Sequence, residues 1–343
     1  MAKSAFIQTV RETLRSRQYS YRTEKSYIHW IKRFIRFSDY RHPKDMGNQE
    51  VEHFLTHLAV SRKVSAATQN LALCAIVFMY RHVIDRELNG LAYGFTKTPK
   101  NLPTVLNTEE IHRIFATMYG STKLITGILF GCGLRIQEAL TLRIKDIDLQ
   151  ARSIFVFRGK GRKDRYSLLP SSLQEPLMRQ IERVRKIHES DLDNGCGYSS
   201  VPGALFKKYH QSLKDFGWQY IFPSTVRCQH PIDGYECRHH LHPSTYSRQL
   251  RKAVKAASIV KRVTAHTFRH SFATQLLQQG TDIRTVQELL GHTDLRTTEI
   301  YTHVLGNKRA GTTSPLDALY VKELKELRTT YSLGYGTSLY KPT

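Results

Sequence analysis

Apolar residues recur at helical spacing along most of this 343-residue chain, and the places where that rhythm breaks decide what it can fold into. Phe6, Val10 and Leu14 mark one helix. Tyr27, Trp30, Ile31, Phe34 and Ile35 mark a second that begins near Ser20. A third runs from about Asn48 with Val51, Phe54, Leu55 and Leu58, and a fourth from near Ser65 with Leu71, Ile76, Phe78, Met79 and Val83. Short loops between them predict a small all-α domain over 1–95, each stripe facing a shared core. Residues 96–107 carry two prolines and little periodicity, which predicts a semi-extended linker. Thr108, followed by two glutamates, caps a new helix. Over 153–170 the period drops to two (Ile154, Val156, then Tyr166, Leu168), predicting a β-hairpin with Gly159, Lys160 and Gly161 at its tip. Helical spacing then resumes to about Val304. It is interrupted over 191–242 by a long loop rich in Gly, Tyr, Cys and His, whose aromatics argue against disorder. The fold expected is mainly α with a small β-sheet: a helical N-terminal domain and a mixed α/β second domain.

Charge narrows the partner. Lysine and arginine number 52 against 29 acidic residues, a net +23, spread over both halves of the chain. Such an excess raises self-repulsion within the fold, so a polyanion is the expected partner, and nucleic acid comes first. Lys32, Arg33 and Arg36 lie off the apolar stripe of the second helix and are placed to meet a phosphate backbone. A membrane surface is the rival explanation. The longest apolar stretch, 124–134, is well short of the roughly 20 residues a span needs, and the first residues lack a signal-type segment. A cytoplasmic protein is expected. Five cysteines, an odd count without regular spacing, fit a reduced compartment.

Polar residues then stand in a fixed order: Arg135 in GLRIQEAL, Lys160 in RGKGRKDR, His266 and Arg269 in HTFRH, His292 in LLGHTD and Tyr301 in EIYTH. Guanidiniums suit a bidentate grip on phosphate oxygens and stay charged. Imidazoles donate hydrogen bonds to the same oxygens or shuttle a proton. An ammonium between glycines can swing toward a leaving oxygen as general acid. A phenol can attack phosphorus and form a covalent phosphotyrosine. No pair of carboxylates accompanies the set, so it does not look like a metal-dependent nuclease.

At these residues the chain resembles the tyrosine recombinase (phage integrase) family. HTFRH, then LLGH, then a tyrosine is the specific part. Gly-Lys-Gly alone is weak, and Arg162 or Lys163 could be mistaken for the catalytic lysine. The resemblance implies Tyr301 as nucleophile, with Arg135, Lys160, His266, Arg269 and His292 completing the catalytic set. It also implies Glu138 as a buried orienter, and neither cofactor nor metal. It further implies a SAM-like DNA-binding domain over 1–95 and a catalytic domain over 108–319, closing as a C-shaped clamp on duplex DNA. Four protomers would assemble on DNA and exchange strands through a four-way junction. Within the family, ALFKKY, WQYIFP and Arg238-His-His in the insertion, with SPLDAL at 314–319, resemble integron integrases. Those recombine gene-cassette sites, one double-stranded, the other a folded single-strand hairpin with protruding bases. Trp218, Pro231, His239 and His240 are the expected grip on such a base, since stacking is worth about 1–3 kcal/mol per base. Residues 320–343 extend past the usual terminus and read as a vector-derived or read-through tail.

Duller readings stand beside these. Cys228, Cys237, His239 and His240 could bind zinc, or the insertion's aromatics could form a satellite core. His266 and His270 could be a metal pair, and Arg135 a surface ion-pair partner of Glu138. The run 282–290 resembles a helix-turn-helix but better serves as scaffold for His292 and Tyr301. Rival functions are a Xer-type or phage-type duplex recombinase, a type IB topoisomerase and a catalytically silent DNA-binding protein.

Overall fold

The computed structural model of the chain describes residues 4–91, 96, 102–157, 164–201 and 203–304, within two compact units, Met1–Asn101 and Leu102–Thr343. Lys160 and its flanking glycines, residues 97–101 of the linker, and everything after Val304, including SPLDAL and the tail, lie outside the described residues.

In the first unit, helices α1 (Ala5–Ser16), α2 (Tyr21–Phe37), α3 (Asn48–Thr56) and α4 (Ala66–Met79) begin where the periodicity predicts. Ser20 and Ser65 explain two of those starts. Each hydroxyl accepts a first-turn N–H, from Thr23 at 3.1 Å and Thr68 at 3.3 Å, donors that no helical carbonyl can serve. Both α3 and α4 run on into a π-type turn, His57–Ser61 and Tyr80–Ile84. Val10, Leu14, Ile31, Phe34, Leu55, Leu58, Ile76 and Met79 close one core. Leu71, expected in the α4 stripe, faces out and Leu73 is inside instead. On α2, Lys32 and Arg36 are exposed, and the Arg33 guanidinium lies over the Trp30 ring at 4.8 Å.

The second unit opens with α5 (Thr108–Ala116), capped one residue before the predicted position. Asn107 accepts from the Glu110 N–H at 2.8 Å, and Glu110 accepts from the Asn107 N–H at 2.9 Å. This reciprocal box uses the Asn107 carboxamide in place of the Thr108 hydroxyl. Then come α6 (Gly120–Gly131), α7 (Ile136–Leu140) and an antiparallel sheet of β1 (Ile147–Asp148), β2 (Ser153–Val156) and β3 (Arg165–Leu168). The hairpin is where the alternation places it, but its second strand is turned over. Ile154 and Val156 are buried, while Tyr166 and Leu168 are 68% and 50% exposed. Arg165 and Ser167 face inward instead, because this part of the interior is lined by polar acceptors. Ser167 Oγ donates to the Cys132 carbonyl at 2.6 Å.

The stretch over 191–242 is not a loop. After α8 (Gln174–Asp193), it contains α9 (Gly203–Tyr209) and a hairpin of β4 (Pro223–Gln229) and β5 (Glu236–His240). The hairpin's turn is closed by the His230 N–H on Tyr235 and the Gly234 N–H on His230, with Gly234 at φ +72°, where a side chain would be strained. Arg238 ties β5 to the end of α8 through two bonds to Asp191, 2.5 and 2.6 Å. Helices α10 (Pro243–Ala256), α11 (Ala265–Gln278), α12 (Ile283–Leu290) and α13 (Arg296–Val304) complete the unit. Its main core surrounds α6. A smaller one joins Phe272, Leu277, Val286, Leu290 and Tyr301. No helix among the described residues is long and apolar enough to cross a membrane.

Candidate active site

Helix α12 ends because Gly291 takes a left-handed conformation at φ +62°. Its last carbonyls have no helical N–H to receive, and they carry the negative end of the helix dipole. Three arginines fill that end. Arg165 Nε donates to Leu289 O at 3.1 Å, Arg269 Nη2 to Leu290 O at 2.5 Å, and Arg135 Nη2 to Gly291 O at 3.4 Å. Arg269 is 2% exposed and also donates to Gly133 O, just past the end of α6, at 2.6 Å. Arg135 and Arg269, far apart in sequence, are thus brought together by two helix ends.

Glu138 holds the group from the other side. Arg135 donates to it from Nη1 at 2.7 Å and from its own N–H at 2.9 Å. Arg165 adds bonds of 3.1 and 2.7 Å from its two Nη atoms, and Arg269 lies at 3.7 Å. Burial alone would raise the Glu138 carboxyl, but Arg165 and then Arg135 outweigh it and hold it at about 2. Burial, with Arg135 next, pulls the Arg269 guanidinium down to about 9, still charged at neutral pH. Three guanidiniums against one carboxylate leave two positive charges in a largely desolvated place. An entering phosphodiester would supply missing negative charge.

Sequence reasoning misses Arg165. Its signal is an arginine and a serine at alternate positions of a strand, both inward, which a search for apolar alternation passes over.

Of the other predicted side chains, His292 meets Tyr301. The phenol is 3% exposed, and burial raises its pKa despite Arg269 and Arg135 nearby. Its ring stacks with His292 at 6.2 Å between centroids, and His292 Nδ1 lies 2.9 Å from Thr298 Oγ1. His266 sits one turn before His270 on α11, and burial, Arg269 and Arg135 lower its pKa. A direct partner of the phenol is a residue that the sequence offers only as half of a metal pair. His270 Nδ1 is 3.0 Å from Tyr301 Oη.

The insertion's residues gather less completely. Arg143, in the loop that follows α7, spans the group. Its guanidinium lies 4.3 Å over Tyr220 and 5.3 Å over Trp218, and it donates to Ser199 Oγ at 2.7 Å and Ser200 O at 3.0 Å. The Lys145 ammonium lies over the Trp218 ring at 3.0 Å. His239 stacks on Tyr220, and His240 meets His239 edge-on at 4.2 Å. Burial, then His240, holds His239 at about 4, a neutral ring at physiological pH. Gln137 Nε2 on α7 lies 3.1 Å from His240 Nε2, linking this group to the helix that carries Glu138. Pro231 stands exposed in the β4–β5 turn, which is joined to Tyr235 through a stacked His230. Among the described residues no three His, Cys, Asp or Glu side chains are grouped to hold a metal ion. Cys228 and Cys237 are opposed across the hairpin as free thiols.

Comparison with known proteins agrees with this architecture. Residues 104–308 match the phage integrase family, and 6–90 match the phage integrase N-terminal SAM-like domain. An integrase/recombinase of Escherichia coli is 44% identical over 314 residues, 91% of this chain and 93% of its own. The tyrosine recombinase XerA of Thermococcus onnurineus is 31% identical over 288 residues, 82% of this chain and 84% of its own. Among solved structures, a lambda integrase dimer bound to a COC′ core site is similar with TM-score 0.59 and 19% identity, covering 90% and 97% of the two chains. The XerH site-specific recombinase bound to difH substrate gives TM-score 0.58 and 24% identity over 89% and 82%. At these identities the likeness to solved structures is one of fold.

Proposed function

The chain belongs to the phage integrase family, the tyrosine recombinases, which cleave and rejoin DNA, and on that footing we propose that it is an integron-type integrase acting on gene-cassette sites. Tyr301 attacks the scissile phosphate and forms a phosphotyrosine, keeping the bond energy for rejoining. Arg135 and Arg269 hold the non-bridging oxygens, with His266 and His292 beside them, and Glu138 fixes the arginines. Lys160, which lies in the sequence between β2 and β3, protonates the leaving 5′ oxygen. The observation that carries this reading is the excess of guanidinium over carboxylate next to a buried phenol, which is what an attack on a phosphodiester requires.

The cassette assignment rests on the insertion. Trp218, His239 and His240 lie around Arg143 and Tyr220, with Pro231 in the adjoining turn. An extrahelical base would stack on these neutral rings, and reading shape rather than base edges would admit cassette sites of differing sequence. Lys32, Arg33 and Arg36 meet the duplex backbone from the first unit, and four protomers assemble on paired sites. The second reading is a duplex-site recombinase of Xer or phage type, favoured by the 31% identity to XerA.

Covalent trapping separates the two. Purified protein and a Tyr301→Phe variant are incubated in EDTA with a labelled folded single-strand cassette site and with its fully paired duplex. An SDS-resistant adduct on the hairpin, absent in the variant, is expected. An adduct on duplex alone retains the recombinase and rejects the cassette assignment.

A further inference from the structure

We propose that His270 accepts the phenolic proton of Tyr301 as its oxygen attacks phosphorus. The inference rests on the reading of Tyr301 as nucleophile and adds the group that makes it one. An unactivated phenol is protonated at neutral pH, and burial makes this one harder still to ionise. Something must take its proton during attack. His270 on α11 reaches Tyr301 on α13 directly, Nδ1 to Oη at 3.0 Å, with ring centroids 5.5 Å apart.

The imidazole's state suits the task. Burial, then His266, then Arg269, hold it at about 4, so it is neutral and one ring nitrogen keeps a lone pair. Facing a hydroxyl donor, that nitrogen is Nδ1, with the ring proton on Nε2. The other imidazoles are placed differently. His292 lies against the face of the phenol with its Nδ1 at Thr298, and His266 is one turn away from His270, 6.1 Å between centroids. A low proton affinity at rest keeps His270 from holding a proton prematurely. The anionic phosphate, and the charge that grows on it during attack, raise that affinity when it is needed.

The step balances. The Oη–P bond forms and the P–O5′ bond breaks, the phenolic proton passes to His270 Nδ1, and Lys160 protonates the departing 5′ oxygen. When a 5′-hydroxyl later attacks the phosphotyrosine, its proton goes to Lys160 and His270 returns the stored proton to Oη.

The test is cleavage of a cassette-site strand carrying either a normal or a 5′-bridging phosphorothiolate linkage, whose thiolate leaves without protonation. His270→Ala and His270→Gln are compared with Lys160→Ala, Tyr301→Phe and the wild type, after DNA binding and thermal unfolding establish that each is folded. On normal DNA, both His270 variants should cleave roughly 100-fold or more slowly, the lower range for general-base catalysis. The phosphorothiolate should restore Lys160→Ala and leave the His270 variants slow. Wild-type rates in either His270 variant, or their rescue by phosphorothiolate, would overturn the assignment. Adduct formation by Tyr301→Phe would instead remove the nucleophile reading on which it stands.

Discussion

Glu138 is the residue on which the arginine group turns. It accepts from Arg135 and Arg165 while nearly buried, so removing its charge leaves guanidiniums facing one another without compensation. Breaking one partner of such a buried set costs about 3–5 kcal/mol, and Glu138→Gln should lose that much in urea unfolding at pH 7. The pH dependence has a definite sign. Its carboxyl is depressed from an ordinary 4.5 to about 2, so the stability it adds is complete above pH 4.5 and drains away as pH falls toward 2. Wild type should therefore lose stability over that window more steeply than the Gln variant, and equal slopes in acid titrations of unfolding would contradict the assignment. At this scale the sequence is legible where a motif surrounds the residue. Arg135, Glu138, Arg269 and Tyr301 can be read because short words such as RIQE and HTFRH carry them. Arg165 and His270 cannot be. One is an inward arginine on a strand whose tyrosine and leucine suggest the opposite face, and the other owes its place to a tyrosine 31 positions later.

Among elements, the ends matter more than the lengths. Helix α12 stops where its terminal carbonyl can receive Arg269, the turn just past the end of α6 offers the Gly133 carbonyl to the same side chain, and Gly133 is the tighter of the two turns. It sits at φ +63°, and a Cβ there would lie 2.5 Å from the Phe272 ring. Gly133→Ala should thus combine backbone strain with overpacking, on the order of 3 kcal/mol, and should also shift the carbonyl that holds Arg269. The expected outcome is a lower unfolding midpoint together with slower covalent trapping. Retained stability with full activity would show that the turn is not needed. Helix starts are legible from Ser20 and Ser65, whose hydroxyls do what their type predicts. The β4–β5 hairpin is not, because its outward residues Val226 and Ile232 blur the alternation and because Arg238 is fixed by Asp191, a partner no local pattern reveals.

At the scale of the whole molecule, charge decides binding before geometry does. A net +23 predicts affinity for duplex DNA that falls linearly in log–log with salt, by a slope near −0.9 for each phosphate neutralised. Replacing Lys32, Arg33 and Arg36 with alanine should make that slope shallower by roughly 0.9 for each phosphate these side chains would otherwise neutralise, read by fluorescence anisotropy across a salt series. An unchanged slope would put this helix face away from DNA. The arginines at the end of α12 have another consequence. Any thermal displacement of that helix carries Leu289, Leu290 and Gly291 together, and with them three side chains that begin on different elements. The helix end works as a jig. It keeps the spacing of the cations constant while the surrounding protein flexes, so the site holds its internal dimensions as one piece and, when the helix is displaced too far, forfeits them as one piece.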